Sequence, residues 1–136
     1  SNSREMQEYE KFNYDHTQIF SDIENIWAKA YSVIANANEA LTNMEGQESS
    51  LNEVYYHVIK GELLAIRAYM HFDLLRIFSE QITVNESADG IPYSTRFSLF
   101  APDILKSKDV YKRIISDLRS AEHLLHKYRC RWFLQR

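Results

Sequence analysis

The sequence has 136 residues, sixteen Lys/Arg against nineteen Asp/Glu for a net charge of −3, and 45% apolar residues. That length fits one domain or a piece of one, and the balance of apolar and charged residues excludes global disorder. Three Gly and two Pro are too few for a turn-rich sandwich, barrel or propeller, and the single Cys, Cys130, excludes an internal disulfide framework and a Cys-based zinc site. No apolar run reaches the ~18 residues of a membrane span. The fold class expected on this basis is all-α.

Charge is unevenly spread. Residues 1–68 carry five Lys/Arg and eleven Asp/Glu, and residues 69–136 carry eleven and eight. Acidic and basic helices side by side in one bundle explain this better than a nucleic-acid surface, because attraction to phosphate follows the summed field and that field is negative. No nucleic-acid partner is expected.

In chain order, residues 1–20 read as an irregular lead-in, polar over the first sixteen apart from Tyr9, Phe12 and Tyr14. The spacing then predicts a helix over 21–45. Ser21 and Glu24 have the pattern of a capping box, in which the hydroxyl accepts an N–H of the first turn and the carboxylate reaches back. Ile23, Trp27, Ala30, Ile34, Ala37, Leu41 and Met44 follow a 4-3-4-3 rhythm that makes one apolar stripe. Gly46 sits where a C-terminal cap belongs.

A second helix is predicted over 51–79. Ile59, Leu63, Ile66, Met70, Leu74 and Ile77 form one stripe, and Val58, Ala65, Tyr69, Phe72 and Leu75 largely fill its neighbour. An apolar surface that wide must meet partners on more than one side, and should leave an exposed face able to form a homo-oligomer. Gly61 costs about 1 kcal/mol relative to Ala in a helix, so close approach of another helix is expected there. Residues 80–106 show no helical period and are expected to be a long extended loop, with a turn at Asp89-Gly90 and an extended segment at Ile91-Pro92. The Gln81–Val84 run has no evident strand partner. A third helix is predicted over 107–128, capped by Ser107, with Tyr111, Ile114, Leu118, Ala121, Leu125 and Tyr128 as its stripe.

Candidate chemistry is sparse. His123 and His126 share a helix face but lack a third ligand, so no metal site is expected. Arg67, charged in an apolar helix, should reach a carboxylate such as Glu24 or Glu39, or the amide of Asn38, since a buried charge must be paired. Asn38, beside the apolar stripe, can satisfy an orphan carbonyl of the loop that follows the first helix; the alternative is an Asn tolerated at the surface near a helix end. Cys130 between two arginines has no orienting His. Tyr93 and Phe97, aromatics in the long loop, are the candidates for ligand contact. No catalytic or cofactor fingerprint occurs, so neither an enzyme nor a cofactor is expected.

Four groups of residues in order resemble the SusD/RagB-like family. They are Trp27, Tyr31, Ile34, Asn36 and Asn38; Gly61-Glu62, Arg67-Ala68, Phe72, Leu74 and Arg76; Gly90-Ile91-Pro92-Tyr93; and Val110-Tyr111, Ile114, Asp117-Leu118, Ala121 and Leu124-Leu125. Together they cover about residues 20–126. The resemblance implies tetratricopeptide-like helix packing and structural roles for Trp27, Asn38, Gly61, Glu62 and Arg67. It also implies a glycan or other nutrient as ligand of the full-length protein, a SusC-like TonB-dependent transporter as partner, and a surface lipoprotein of the outer membrane. The sequence shows no signal peptide, no lipid-attachment Cys near its start and no next repeat helix after Leu125, so the expectation is a helical piece of a longer protein. The alternative is a free-standing helical-repeat interaction module.

Overall fold

The computed structural model describes residues 17–50, 52–98, 100 and 102–134, with side chains through Tyr128. The aromatics of the lead-in and the Cys130 side chain lie outside the described residues.

The 4-3-4-3 spacing winds into α1 (Thr17–Met44), which buries Ile19, Ile34, Ala37 and Met44 and half-buries the rest of the stripe. The helix starts four residues before the expected boundary. Ile19, fully buried one turn ahead of Ile23, extends the core face upstream, so Ser21 lies on an exposed turn inside the helix and is not its cap. Gly46, at φ +78°, ends the run as expected, in the left-handed conformation that glycine adopts without a Cβ penalty.

α2 (Glu53–Phe78) starts with Asn52, whose side-chain oxygen accepts the Val54 N–H at 2.9 Å. It stops at Ser79, whose own N–H closes onto Leu75 O. The core face follows the first stripe only in part, through Leu74 and the half-buried Met70. Ile59 and Ile66 are each 43% exposed and Ile77 is 56% exposed, while Val54, Val58, Gly61, Arg67, Ala68, His71, Leu74 and Leu75 are buried. The core face carries a glycine, an arginine and a histidine, which an apolar count scores against burial although they pack most closely.

Residues 80–106 are not all loop. β1 (Asp89–Pro92) pairs antiparallel with β2 (Ile104–Lys106), in register Asp89↔Lys106 and Pro92↔Ile104 with an irregularity between. A three-residue strand is too short to show a period, which hid the partner. Gln81–Val84 closes as a turn, with Val84 N–H donating to Gln81 O. α3 (Ser107–Leu134) follows β2 directly and runs six residues beyond the expected end. Ser107, fully buried, shares its hydroxyl with Ser79 Oγ at 2.6 Å, which ties the start of α3 to the end of α2; the expected capping role is not what the hydroxyl does.

α2 is the middle helix, antiparallel to both neighbours, and the backbones of α1 and α3 do not approach each other closely. The main core joins Ile34, Ala68, Leu74, Leu75, Ile91, Val110 and Ile114, and a smaller one joins Val54, Val58 and Tyr128. The structure is therefore mainly α-helical, a layer of three helices with the short hairpin on one face. At 100° per residue the exposed isoleucines of α2 point to the other face, as do Ile26 and Val33 of α1.

Two glycines mark close approaches. A Cβ on Gly61 would meet Leu125 Cγ at 3.0 Å, the helix contact expected there. A Cβ on Gly90 would lie 2.9 Å from Leu105 O and 3.1 Å from Ser107 Cα, both backbone atoms that cannot rotate away. Gly90→Ala should therefore destabilise by about 1–3 kcal/mol. Gly61→Ala should cost less than Gly90→Ala, because gained helix propensity of about 1 kcal/mol partly offsets moving the whole Leu125 side chain and crowding Ala121 O at 3.3 Å. Urea melts of both variants check the contrast.

Candidate functional site

The largest polar construction in the molecule lies where all three helices face the segment after β1. Arg67, from the middle of α2, makes a bidentate pair with Asp117 of α3, Nε to Oδ2 at 2.7 Å and Nη2 to Oδ1 at 2.8 Å. Its Nη1 donates to Asn38 Oδ1 of α1 at 3.0 Å and, at 3.4 Å, to Thr95 O. The side chains of Arg67 and Asp117 are 10% and 15% exposed. The expected carboxylate partners Glu24 and Glu39 are both exposed on α1 and are not used; the expected Asn38 contact is present.

The chain after β1 is held from several sides. Tyr31 Oη donates to Pro92 O at 2.7 Å, Asn38 Nδ2 donates to Ser94 O at 3.1 Å, and the Ser94 N–H donates to His71 Nε2 at 3.0 Å. Asn38 thus satisfies a loop carbonyl, but in the loop after α2 and not in the one that follows its own helix. Tyr93 Oη donates to Asp117 Oδ2 at 2.6 Å and its ring stacks on His71 at 3.9 Å. Because His71 Nε2 accepts, Nδ1 carries the proton and donates to Arg67 O at 2.8 Å, which fixes a neutral imidazole.

The electrostatics follow from burial. Removal from water opposes the Arg67 charge, but the hydrogen bonds and charge of Asp117 outweigh it and hold the guanidinium above its ordinary range. Burial pushes the Tyr93 phenol up, and the Asp117 carboxylate that accepts its proton adds to this. Burial also raises the Tyr31 phenol. His71 is lowered to about 4, chiefly by burial.

The pinned segment forms one wall of an open cleft of about 290 Å³, with Trp27 and Tyr31 on the α1 side and Ser94, Arg96, Ser98 and Phe100 opposite. Trp27 is braced by Tyr31 at 4.9 Å and by Phe78 edge-on at 4.8 Å. Phe100 is 83% exposed.

Of the residues singled out from sequence, Trp27, Asn38 and Arg67 come together around this segment. Gly61 stands apart at the α2–α3 contact, and Glu62 is exposed on α2. Tyr93 is 4% exposed, with its ring on His71 and its hydroxyl on Asp117, while Phe97 is exposed. His123 and His126 line a shallow depression with Arg119, Glu122 and Lys127, and no cluster able to hold a metal occurs among the described residues. Sequence reasoning gave no role to Asp117, His71 or Tyr31. Asp117 could have been found by looking for the Arg67 partner on the third helix as well as the first.

The chain belongs to the SusD-like family described as starch-binding and associating with the outer membrane, whose model matches residues 1–131. No curated protein and no solved structure shows significant similarity to it.

Two predictions follow from the buried cluster. Asp117→Ala leaves the Arg67 guanidinium uncompensated and should destabilise by about 3 kcal/mol or more in chemical denaturation, with Asp117→Asn intermediate. His71 protonates at about 4 when folded against an ordinary 6.5, so the unfolded chain binds the proton first. Its contribution is complete above about pH 6.5 and is lost as pH falls toward 4, a loss on the order of 3 kcal/mol. The difference in unfolding free energy between the unmodified chain and His71→Gln, followed from pH 7 to pH 4, should shrink accordingly.

Proposed function

We propose that this chain is the helical scaffold of a surface lipoprotein that captures glycan at the outer membrane and passes it to a SusC-like TonB-dependent transporter. Its part in ligand binding is to hold residues 92–95 in place, so that the exposed side chains that follow are presented beside the cleft. The observation that carries this reading is the set of side chains from α1 and α2 that grip the backbone of residues 92–95 beside an open aromatic cleft. Side chains gripping a loop's backbone leave that loop's own side chains free for a ligand, and a pre-formed loop avoids the entropy of ordering on binding. Exposed aromatic rings offer apolar faces to sugar rings while their surroundings supply hydrogen bonds. Phe97 and Phe100 are the exposed rings of this loop, and Phe100 lines the cleft.

The transporter contact is assigned to the opposite face. Ile26, Val33, Ile59, Ile66, Tyr69 and Ile77 are all exposed there, an apolar surface of the kind that marks interaction sites. The same face could serve a free-standing interaction module, but that reading gives the pinned loop and its cleft no role.

Affinity electrophoresis in gels containing soluble starch tests the binding reading. Retardation of the chain, reduced in a Phe97→Ala/Phe100→Ala double variant with unchanged thermal stability, is the expected result; equal mobility with and without starch counts against starch as the ligand. Co-purification with the transporter should be lost on Ile66→Asp, and a persistent complex would move the contact elsewhere.

A further inference from the structure

We infer that the cleft between α1 and the 92–102 segment is a subsite for an acidic sugar residue, with Arg96 receiving its carboxylate. This rests on the glycan-binding reading and narrows it from glycan in general to an anionic unit at this position.

Three observations converge. The first is charge. Arg96 is the charged residue among those that line the cleft, no carboxylate shares the lining, and its guanidinium makes no ion pair or hydrogen bond among the described residues. Other cationic side chains near clefts or in the core are differently placed. Arg67 is spent on Asp117, and Arg76, in the neighbouring cleft of about 340 Å³, lies over the Phe72 ring and has Glu80 in the same lining. Arg119 borders two more open depressions, one shared with Glu122 and the other with Lys112 and a single ring, Tyr111. An exposed arginine that borders a ring-walled cleft with no counter-charge in its lining can receive an anionic ligand, and a guanidinium fork matches a carboxylate in a plane.

The second is the wall. Trp27 and Tyr31 on one side and Phe100 on the other present rings, which suit the apolar face of a pyranose. The Tyr31 hydroxyl is already spent on Pro92 O, so this side chain acts as surface. Ser98 Oγ accepts the Phe100 N–H at 3.1 Å and keeps its own proton to donate, so it can meet a sugar hydroxyl or ring oxygen.

The third is size and stiffness. About 290 Å³ lies at the small end for ligand sites and accommodates one sugar ring with its substituents more readily than a chain segment. The base of the Arg96 loop is clamped by Asn38, Arg67 and His71, and Ser94 Oγ donates to Arg96 O at 3.1 Å. The backbone that carries the guanidinium is therefore positioned before any ligand arrives.

The test is isothermal titration of the chain with tetragalacturonate, its fully methyl-esterified form and maltotetraose. The ester keeps the rings and removes the charge. The expected result is a preference of about tenfold for the acid over the ester, which weakens toward 0.3 M salt and disappears in Arg96→Gln, while Phe100→Ala weakens acid and ester alike. Circular dichroism and melting of both variants establish that they fold; each side chain is exposed and should be dispensable for stability. Equal binding of acid and ester, unchanged in Arg96→Gln, overturns the inference and leaves glycan binding intact. Acid binding untouched by both variants overturns it by placing the site elsewhere. Maltotetraose or starch binding with no acid binding overturns it alone, whereas failure of every neutral and acidic glycan overturns the glycan-binding reading with it.

Discussion

A guanidinium taken out of water must find acceptors for its N–H groups, and Arg67 finds them on three separate pieces of chain. Asp117 lies on α3, Asn38 on α1, and Thr95 O on the segment between the second and third helices. No pair of elements can supply this set alone, so the charge is satisfied only when the three helices and the loop are in place together. The backbones of α1 and α3 do not approach each other closely; the polar cluster around Arg67, together with the core shared by Ile34, Val110 and Ile114, relates them. A buried ion pair is a weak source of net stability because desolvation consumes most of its Coulomb energy. Its effect here is geometric. It makes one arrangement of loop and helices much better than its neighbours, while the apolar cores on either side supply the favourable free energy.

His71 and Tyr93 extend the same logic. The imidazole is held neutral by donating to its own helix and accepting from the loop, so it bridges the two without bringing a second charge beside Arg67. Tyr93 covers its face and donates to the Asp117 oxygen that also meets Arg67 Nε. Each buried polar atom of the cluster thus has a partner of the right sense, the condition under which a buried network rigidifies and does not frustrate a fold.

Much of this was legible in the sequence, for reasons that differ by element. The helices show because a 3.6-residue period is repeated over seven or more turns, and both glycine roles at 46 and 61 show because a glycine next to or inside a helix needs an explanation. The family pattern shows because the residues that make the cluster are spaced as the cluster requires. What stayed hidden is what periodicity cannot carry. A two-strand pair of four and three residues has no period. The core face of α2 was misassigned because its arginine, histidine and glycine look like interruptions of an apolar stripe, although they are its most closely packed members. The start of α1 was missed because burial of Ile19 outweighs a well-formed capping pattern at Ser21.

The division of labour across the helical layer follows from that misassigned face. α2 carries hydrophobic residues almost all round, and its two lateral contacts with α1 and α3 use only part of them. On the hairpin side Leu74 and Leu75 share the core with Ile91 and Tyr93, Arg67 and His71 hold the backbone of residues 94 and 95, and the side chains of residues 95–98 are left exposed. On the far side it is apolar and uncovered, with isoleucines where a helix that ends its contacts at two neighbours would carry lysine and glutamate. A loop held by its backbone suits a small polar ligand, which needs fixed directions more than area. A bare aliphatic face suits a polypeptide, which needs area more than direction. A ligand on the loop side and a polypeptide on the aliphatic face would therefore not compete for surface.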